Sequence, residues 1–249
     1  MEVEQWLSLP PLDGSVARGG LQPGDIMMKQ IYHIELAGTI ITAGQKIAKA
    51  LRWATLQGFT ADTYNEHAGI MVDGLNMVES IGPGVTMGVI SSGEHQKTPY
   101  VVFRCTDKQL ANDAGQIAKA FMGYGKLFNT DRSRANGPAK INPGSYAAGG
   151  GTATIFQPFL KTKRRATETL IDKMRDFITG KSNVRPNVYC TQFVAACYVL
   201  AADWSAHPQR NTDPGLNINP GSMIPIVYVQ CLTKSSLFHI SGRYGEFGH

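Results

Sequence analysis

Val188-Tyr-Cys-Thr-Gln-Phe-Val-Ala-Ala-Cys-Tyr-Val-Leu200 is the stretch on which the reading of this chain turns. It follows the irregular, proline-containing Arg185-Pro-Asn187 and is apolar enough to form a core helix, so Cys190 stands where a loop gives way to a helix N-terminus. The first N–H groups of a helix have no carbonyl one turn back, and its dipole places positive charge there. Both favour a thiolate over a thiol and lower a cysteine pKa from its ordinary value of about 8.5. Far upstream, Tyr64-Asn-Glu-His-Ala-Gly-Ile-Met-Val72 puts a histidine at the start of a strand. A cysteine and a histidine of this kind suggest a nucleophile and its base.

The surrounding chain reads as an α+β protein. Leu21-Gln-Pro-Gly-Asp-Ile-Met27 predicts a Pro-Gly turn leading into a short strand, in which Asp25 fixes the turn. Thr39 to Leu56 has a helical stripe, and residues 67 to 80 read as a hairpin around Asp73-Gly74. Tyr100 to Cys105 is a strand rich in β-formers. Asp107 or Asn112 caps a helix containing Ala114, Ile117 and Phe121, which Gly123 ends, and a further helix runs from Thr167 to Ile178. Residues 123 to 152, with seven glycines and no sustained period, read as an irregular insertion. Asn211 to Pro225 is a loop, Ile224 to Leu232 reads as a strand and Phe238 to His249 is ambiguous. No linker divides the chain, so one domain over residues 1 to 249 is expected.

Composition narrows the class. Of 249 residues, 43% are hydrophobic and 17% charged, a balance that excludes a largely disordered protein. The formal charge of +5 is compatible with an anionic polymer as partner, but no nucleic-acid-binding motif is present, and Lys161-Thr-Lys-Arg-Arg165 reads as a solvated surface run. No apolar stretch reaches the ~20 residues of a transmembrane helix, and the acidic start lacks a secretory leader's pattern. The four cysteines form neither a CxxC pair nor a metal cluster. Free thiols are expected, with Cys105, Cys197 and Cys231 structural and Cys105 and Cys231 on strands. His33, His95, His207 and His239 lack comparable context and receive no role.

Three pieces in order carry a resemblance: Leu21-Gln-Pro-Gly-Asp-Ile-Met27, His67-Ala-Gly-Ile-Met-Val72 with Glu79, and Tyr189-Cys-Thr-Gln-Phe-Val194. Together, over a small fraction of the chain, they resemble the circularly permuted papain-like hydrolases of the NlpC-type superfamily, in which the histidine precedes the cysteine. The resemblance implies a papain-like fold, with a short antiparallel sheet packed against helices. It also implies Cys190 as nucleophile, His67 as base and Glu79 as the residue orienting the imidazole, with no cofactor or metal. The implied activity is a cysteine amidase or endopeptidase acting on peptidoglycan stem peptides. With no leader expected, delivery from the cytoplasm to a target-cell periplasm as an antibacterial type VI secretion effector follows, with an immunity protein as partner.

Other readings stand beside it. Permuted relatives of the lecithin:retinol acyltransferase type use the same Cys/His pair on lipid acyl groups, and a noncatalytic binding module could share the scaffold. Hairpin geometry also leaves Glu79 open. A two-residue Asp73-Gly74 loop pairs His67 with Ser80 and turns Glu79 away, whereas a three-residue Val72-Asp73-Gly74 loop pairs His67 with Glu79 on one face. The resemblance favours the second.

Overall fold

The structure, a computed structural model, describes residues 10–11, 20–31, 64–81, 84–123 and 165–245. The expected helix from Thr39 to Leu56, the insertion beyond Gly123 and the chain start lie outside the described residues. Strands β1 (Ile26–Ile31), β2 (Tyr64–Met71), β3 (Asn76–Ile81), β4 (Gly84–Val89), β5 (Tyr100–Cys105) and β6 (Phe238–Tyr244) form one antiparallel sheet in the order β4-β3-β2-β1-β5-β6. The helices are α1 (Glu94–Lys97), α2 (Lys108–Phe121), α3 (Arg165–Ile178), α4 (Cys190–Trp204) and α5 (Pro225–Lys234). The architecture is α+β.

Strand alternation divides the sheet's side chains between two apolar clusters. Ile26, Met28, Ala68, Ile70, Val78, Val101 and Phe103 join the main core with α2 to α5, while Met27, Met71, Met77, Tyr100 and Val102 meet Leu21, Ile90 and Tyr244 on the other face. Helix α4 lies inside the main core: every residue from Cys190 to Ala202 is buried, and its neighbours include α2, α3, α5, β2 and β3. Such a helix needs apolar residues all round rather than a stripe, which is what its sequence supplies.

Local chemistry sets the boundaries. The Asp107 carboxylate accepts from the N–H groups of Gln109 at 2.9 Å and Leu110 at 3.0 Å, so Asp107 rather than Asn112 caps α2, and Gly123 ends it with φ 85°. Ile224 to Leu232 is a correction: Pro225 opens helix α5 instead of interrupting a strand, and Cys231 is therefore on a helix. Proline suits a first helical position because the N–H it lacks has no partner there, and Ile226, Val229 and Leu232 then recur on one buried face. The ambiguous end contains β6, which pairs with β5.

The Pro-Gly turn before β1 is where sheet and helices meet. Gly24 has φ 83°, its N–H donates to Met71 O at 2.8 Å, and the Tyr198 hydroxyl of α4 donates to its carbonyl. A β-carbon at this position would lie 2.3 Å from Ala111 O of α2. Asp25 fixes the turn as expected: its Oδ2 accepts from Gln22 N–H at 2.8 Å, and Arg104 grips both of its oxygens at 2.8 and 2.6 Å. Gly24→Ala therefore combines an unfavourable φ with a backbone clash, and it should cost about 2–3 kcal/mol. The measurement is a urea unfolding curve with a lowered midpoint and unchanged slope.

Candidate active site

Helix α4 begins at Cys190 because Tyr189 is extended, with φ −104° and ψ 172°. Three hydrogen bonds fix that end. Ser80 Oγ of β3 donates to Val188 O at 2.7 Å, Thr191 Oγ1 to Met223 O at 2.6 Å, and Gln192 Nε2 to Gly221 O at 2.7 Å. Ser80 and Thr191 are fully buried, so losing either bond would leave a carbonyl without its partner inside the protein. The sequence reading assigned none of these three a role, since their partners are remote in the chain.

His67 and Glu79 are brought together by the β2–β3 hairpin, in a register that differs from both expected ones. Met71 pairs with Met77 and Gly69 with Glu79. The loop is longer because Asp73 Oδ1 accepts from the N–H groups of Leu75 at 2.8 Å and Asn76 at 2.7 Å, while Val72 N–H closes on Asn76 O at 2.9 Å. This register differs from the three-residue alternative by two residues, an even step, so Glu79 still shares a face with His67, now as a diagonal neighbour. Gly69 offers no side chain directly opposite the carboxylate. Glu79 Oε2 meets His67 Nε2 at 2.7 Å.

Beyond the Gly69–Glu79 pair, β2 and β3 part. Met71 N–H points to the β1 side, onto Asp25 O, and Val72 N–H to the β3 side. Amide direction alternates along a strand, so Ala68 N–H also points to the β3 side, where the ladder has ended. It donates to the Cys190 sulfur instead, together with Thr191 N–H. The β1–β2 ladder is regular as far as Lys29–His67 and shifts immediately afterwards, a local irregularity of the kind that re-aims side chains. Since Nε2 is engaged by Glu79, the ring nitrogen left for the thiol is Nδ1, and His67 and Cys190 are hydrogen-bonded.

The three expected residues thus form one connected chain, Cys190–His67–Glu79, and its electrostatics follow from opposed effects. Burial is the largest influence on each and disfavours charge. For Cys190, the attraction and hydrogen bond of His67, with the N–H groups of Ala68 and Thr191, outweigh it and lower the thiol pKa. For His67, the neighbouring sulfur and Glu79 raise the imidazolium pKa. For Glu79, hydrogen bonds and charge from His67 and His95 hold the carboxyl at about 2. At the other thiols burial prevails: Cys105 is pushed up to about 12 despite the Asp107 N–H, Cys197 is raised by burial alone, and Cys231 is raised despite Lys234. All four cysteines are free.

His95, to which the sequence reading gave no role, lies beside the site: its Nε2 is 3.3 Å from Glu79 Oε1 and its Nδ1 is 2.9 Å from the Tyr100 hydroxyl. His207 lies elsewhere, 3.2 Å from Asp107. Among the described residues, no group of three or more His, Cys, Asp or Glu side chains is arranged to hold a metal ion, and no helix is long and apolar enough to cross a membrane.

Two measurements follow. The iodoacetamide rate at Cys190, plotted against pH, should have its midpoint below the ordinary thiol value of about 8.5; His67→Ala should move it up, because burial is then opposed only by the N–H groups of Ala68 and Thr191, and Glu79→Gln should move it up by less. Glu79 is held below its ordinary 4.5, so its ionisation stabilises the fold above pH 4.5, and that contribution is lost as pH falls toward about 2. In acid titrations followed by circular dichroism, Glu79→Gln should flatten stability over that window. No protein-family model, curated protein or solved structure matches this chain, so the chemistry of the site is read from its own geometry.

Proposed function

We propose that this chain is a cysteine hydrolase of the circularly permuted papain-like type, an amidase or endopeptidase that cleaves peptidoglycan stem peptides. The observation that carries the reading is the connected Cys190–His67–Glu79 chain, with Cys190 alone among the four cysteines having its pKa lowered. The order of the motifs and the +5 charge support the substrate class, since the wall is an anionic polymer.

The steps balance on these residues. The Cys190 thiolate adds to the amide carbon, and the carbonyl electron pair moves onto oxygen. N–H groups at the start of α4, Cys190's own among them, are the natural donors to that oxyanion. His67 Nδ1–H gives its proton to the amine as the C–N bond breaks, leaving a thioester on Cys190. Neutral His67 then takes a proton from water as its oxygen attacks the thioester; the acid leaves and the thiolate returns. Glu79 holds the ring so that Nδ1 faces sulfur and stabilises the imidazolium in the first and last states.

Delivery as a type VI secretion effector, with a cognate immunity protein covering the site in the producing cell, belongs to the same proposal. Purified wild type and Cys190→Ala, incubated with peptidoglycan and analysed by mass spectrometry, test the reading. Cleavage of a stem-peptide amide by wild type and its loss in Cys190→Ala are expected. Unchanged cleavage by the variant would overturn the mechanism, and cleavage by neither protein would overturn the wall substrate and leave acyl lipids as the next class to assay.

A further inference from the structure

The chain from β4 to β5 has to cross the sheet, because β4 is an edge strand and β5 lies beyond β3, β2 and β1. It carries α1, and with it His95. Glu79 and Tyr100 both belong to the sheet face opposite the helical core, Glu79 by its pairing across from Gly69 and Tyr100 by its place beside Met27, Met71 and Val102. His95 touches both, so the crossover sets it over that face between them. Gly88 of β4 helps to make the room: a β-carbon there would stand 3.2 Å from His95 Nε2.

From this geometry we infer that His95 is a positioning residue, held by Tyr100 in one tautomer so that it fixes the outer oxygen of Glu79 and, through Glu79, the ring of His67. The inference rests on the cysteine-hydrolase reading. With the ring neutral, the partners decide which of its nitrogens carries the proton. Ionised Glu79 only accepts, so His95 Nε2 carries a proton toward Oε1; in the neutral ring Nδ1 is then an acceptor, and the Tyr100 O–H donates to it. Tyr100 is 1% exposed, and burial pushes its hydroxyl pKa well up, so it remains a donor throughout the working pH range. The result is a directed line: Tyr100 donates to His95, His95 to Glu79 Oε1, and His67 to Glu79 Oε2, which leaves Nδ1 of His67 for Cys190.

A carboxylate held only at Oε2 could rotate about its last bond and carry the imidazole with it. The contact at Oε1 removes that freedom. At 3.3 Å against 2.7 Å it is the weaker of the two, as suits a group that positions the carboxylate without taking His67's place. Side-chain exposures of 8% for Glu79 and 21% for His95 place the histidine nearer to water than the carboxylate it holds.

Three variants test this. His95→Phe keeps the ring's bulk and removes the donor; His95→Gln keeps an N–H donor at about the same reach; Tyr100→Phe removes the tautomer lock and keeps His95. Folding is checked by circular dichroism, and the readouts are the pH midpoint of Cys190 alkylation and, on peptidoglycan, kcat and KM. His95→Phe should raise the midpoint by about one unit and lower kcat about tenfold at nearly constant KM, the scale of one lost hydrogen bond to a charged group. His95→Gln should restore most of both, and Tyr100→Phe should move the midpoint in the same direction by less. A folded His95→Phe with the wild-type midpoint overturns the inference, as do equal losses in His95→Phe and His95→Gln. If His95→Phe does not fold, Tyr100→Phe decides: a raised midpoint supports the inference and an unmoved one overturns it. A wild-type midpoint at the ordinary thiol value of about 8.5 overturns the parent reading itself, and the two failures are thereby told apart.

Discussion

The parting of β2 and β3 after the Gly69–Glu79 pair is the constraint on which the site depends. Inside a sheet every amide has a partner on the next strand, and nothing else can use it. Where the strands separate, Ala68 N–H is released on the side β3 has left, and the Cys190 sulfur takes it. Ser80, now outside the β2 ladder, turns its hydroxyl onto Val188 O and so fixes the chain two residues before Cys190. One structural event supplies both a donor for the sulfur and an anchor for the helix that carries it. The same hairpin, by the even step of its register, keeps Glu79 on the face of His67.

Holding charge in such a place is costly, and the neighbouring cysteines show what happens without help. Cys105 and Cys197 lie in the same core and have their thiol pKa values driven upward, because burial penalises the thiolate and the Asp107 N–H at Cys105 does not offset it. Cys190 is buried to 2% exposure and shifts the other way. The difference comes from opposite charge at contact and from oriented N–H groups, both of which act more strongly where water is excluded. Thiolate, imidazolium and carboxylate sum to one negative charge. The helix N-terminus, Ala68 N–H and His95 supply the positive ends that balance it.

What was legible in the sequence was whatever local pattern decides. Tyr100 to Cys105 reads as a strand from its β-formers, α2 from its stripe with a capping aspartate and a closing glycine, and Cys190 as a helix start from the change in composition. Ile224 to Leu232 failed because a short apolar run fits both periods, and the β-branched residues outweighed the one discriminating signal, a proline at the first helical position. The hairpin register failed because it is set by the side chain of Asp73 folding back on the loop, and two-residue and three-residue templates leave no place for that. Cys190, His67 and Glu79 were named through the resemblance that their motifs carry, and the structure brings the three together. His95 has no motif around it, and its relevance comes only from the route the chain takes across the sheet.

That route explains why residues so far apart in sequence can act on one another. Cys190 is held by β3 and by the turn at Gly221 to Met223, His67 by β2, and the outer end of the line by the β4–β5 crossover. No single element contains two adjacent members of the chain from Tyr100 to Cys190. In the proposed hydrolysis His67 serves first as acid and then as base and has to return to the same orientation between the two steps, and a carboxylate fixed at both oxygens by different elements gives it that reference. The precision of the site therefore derives from sheet order: exchanging neighbouring strands would leave each local element intact and separate the groups that the chemistry needs together.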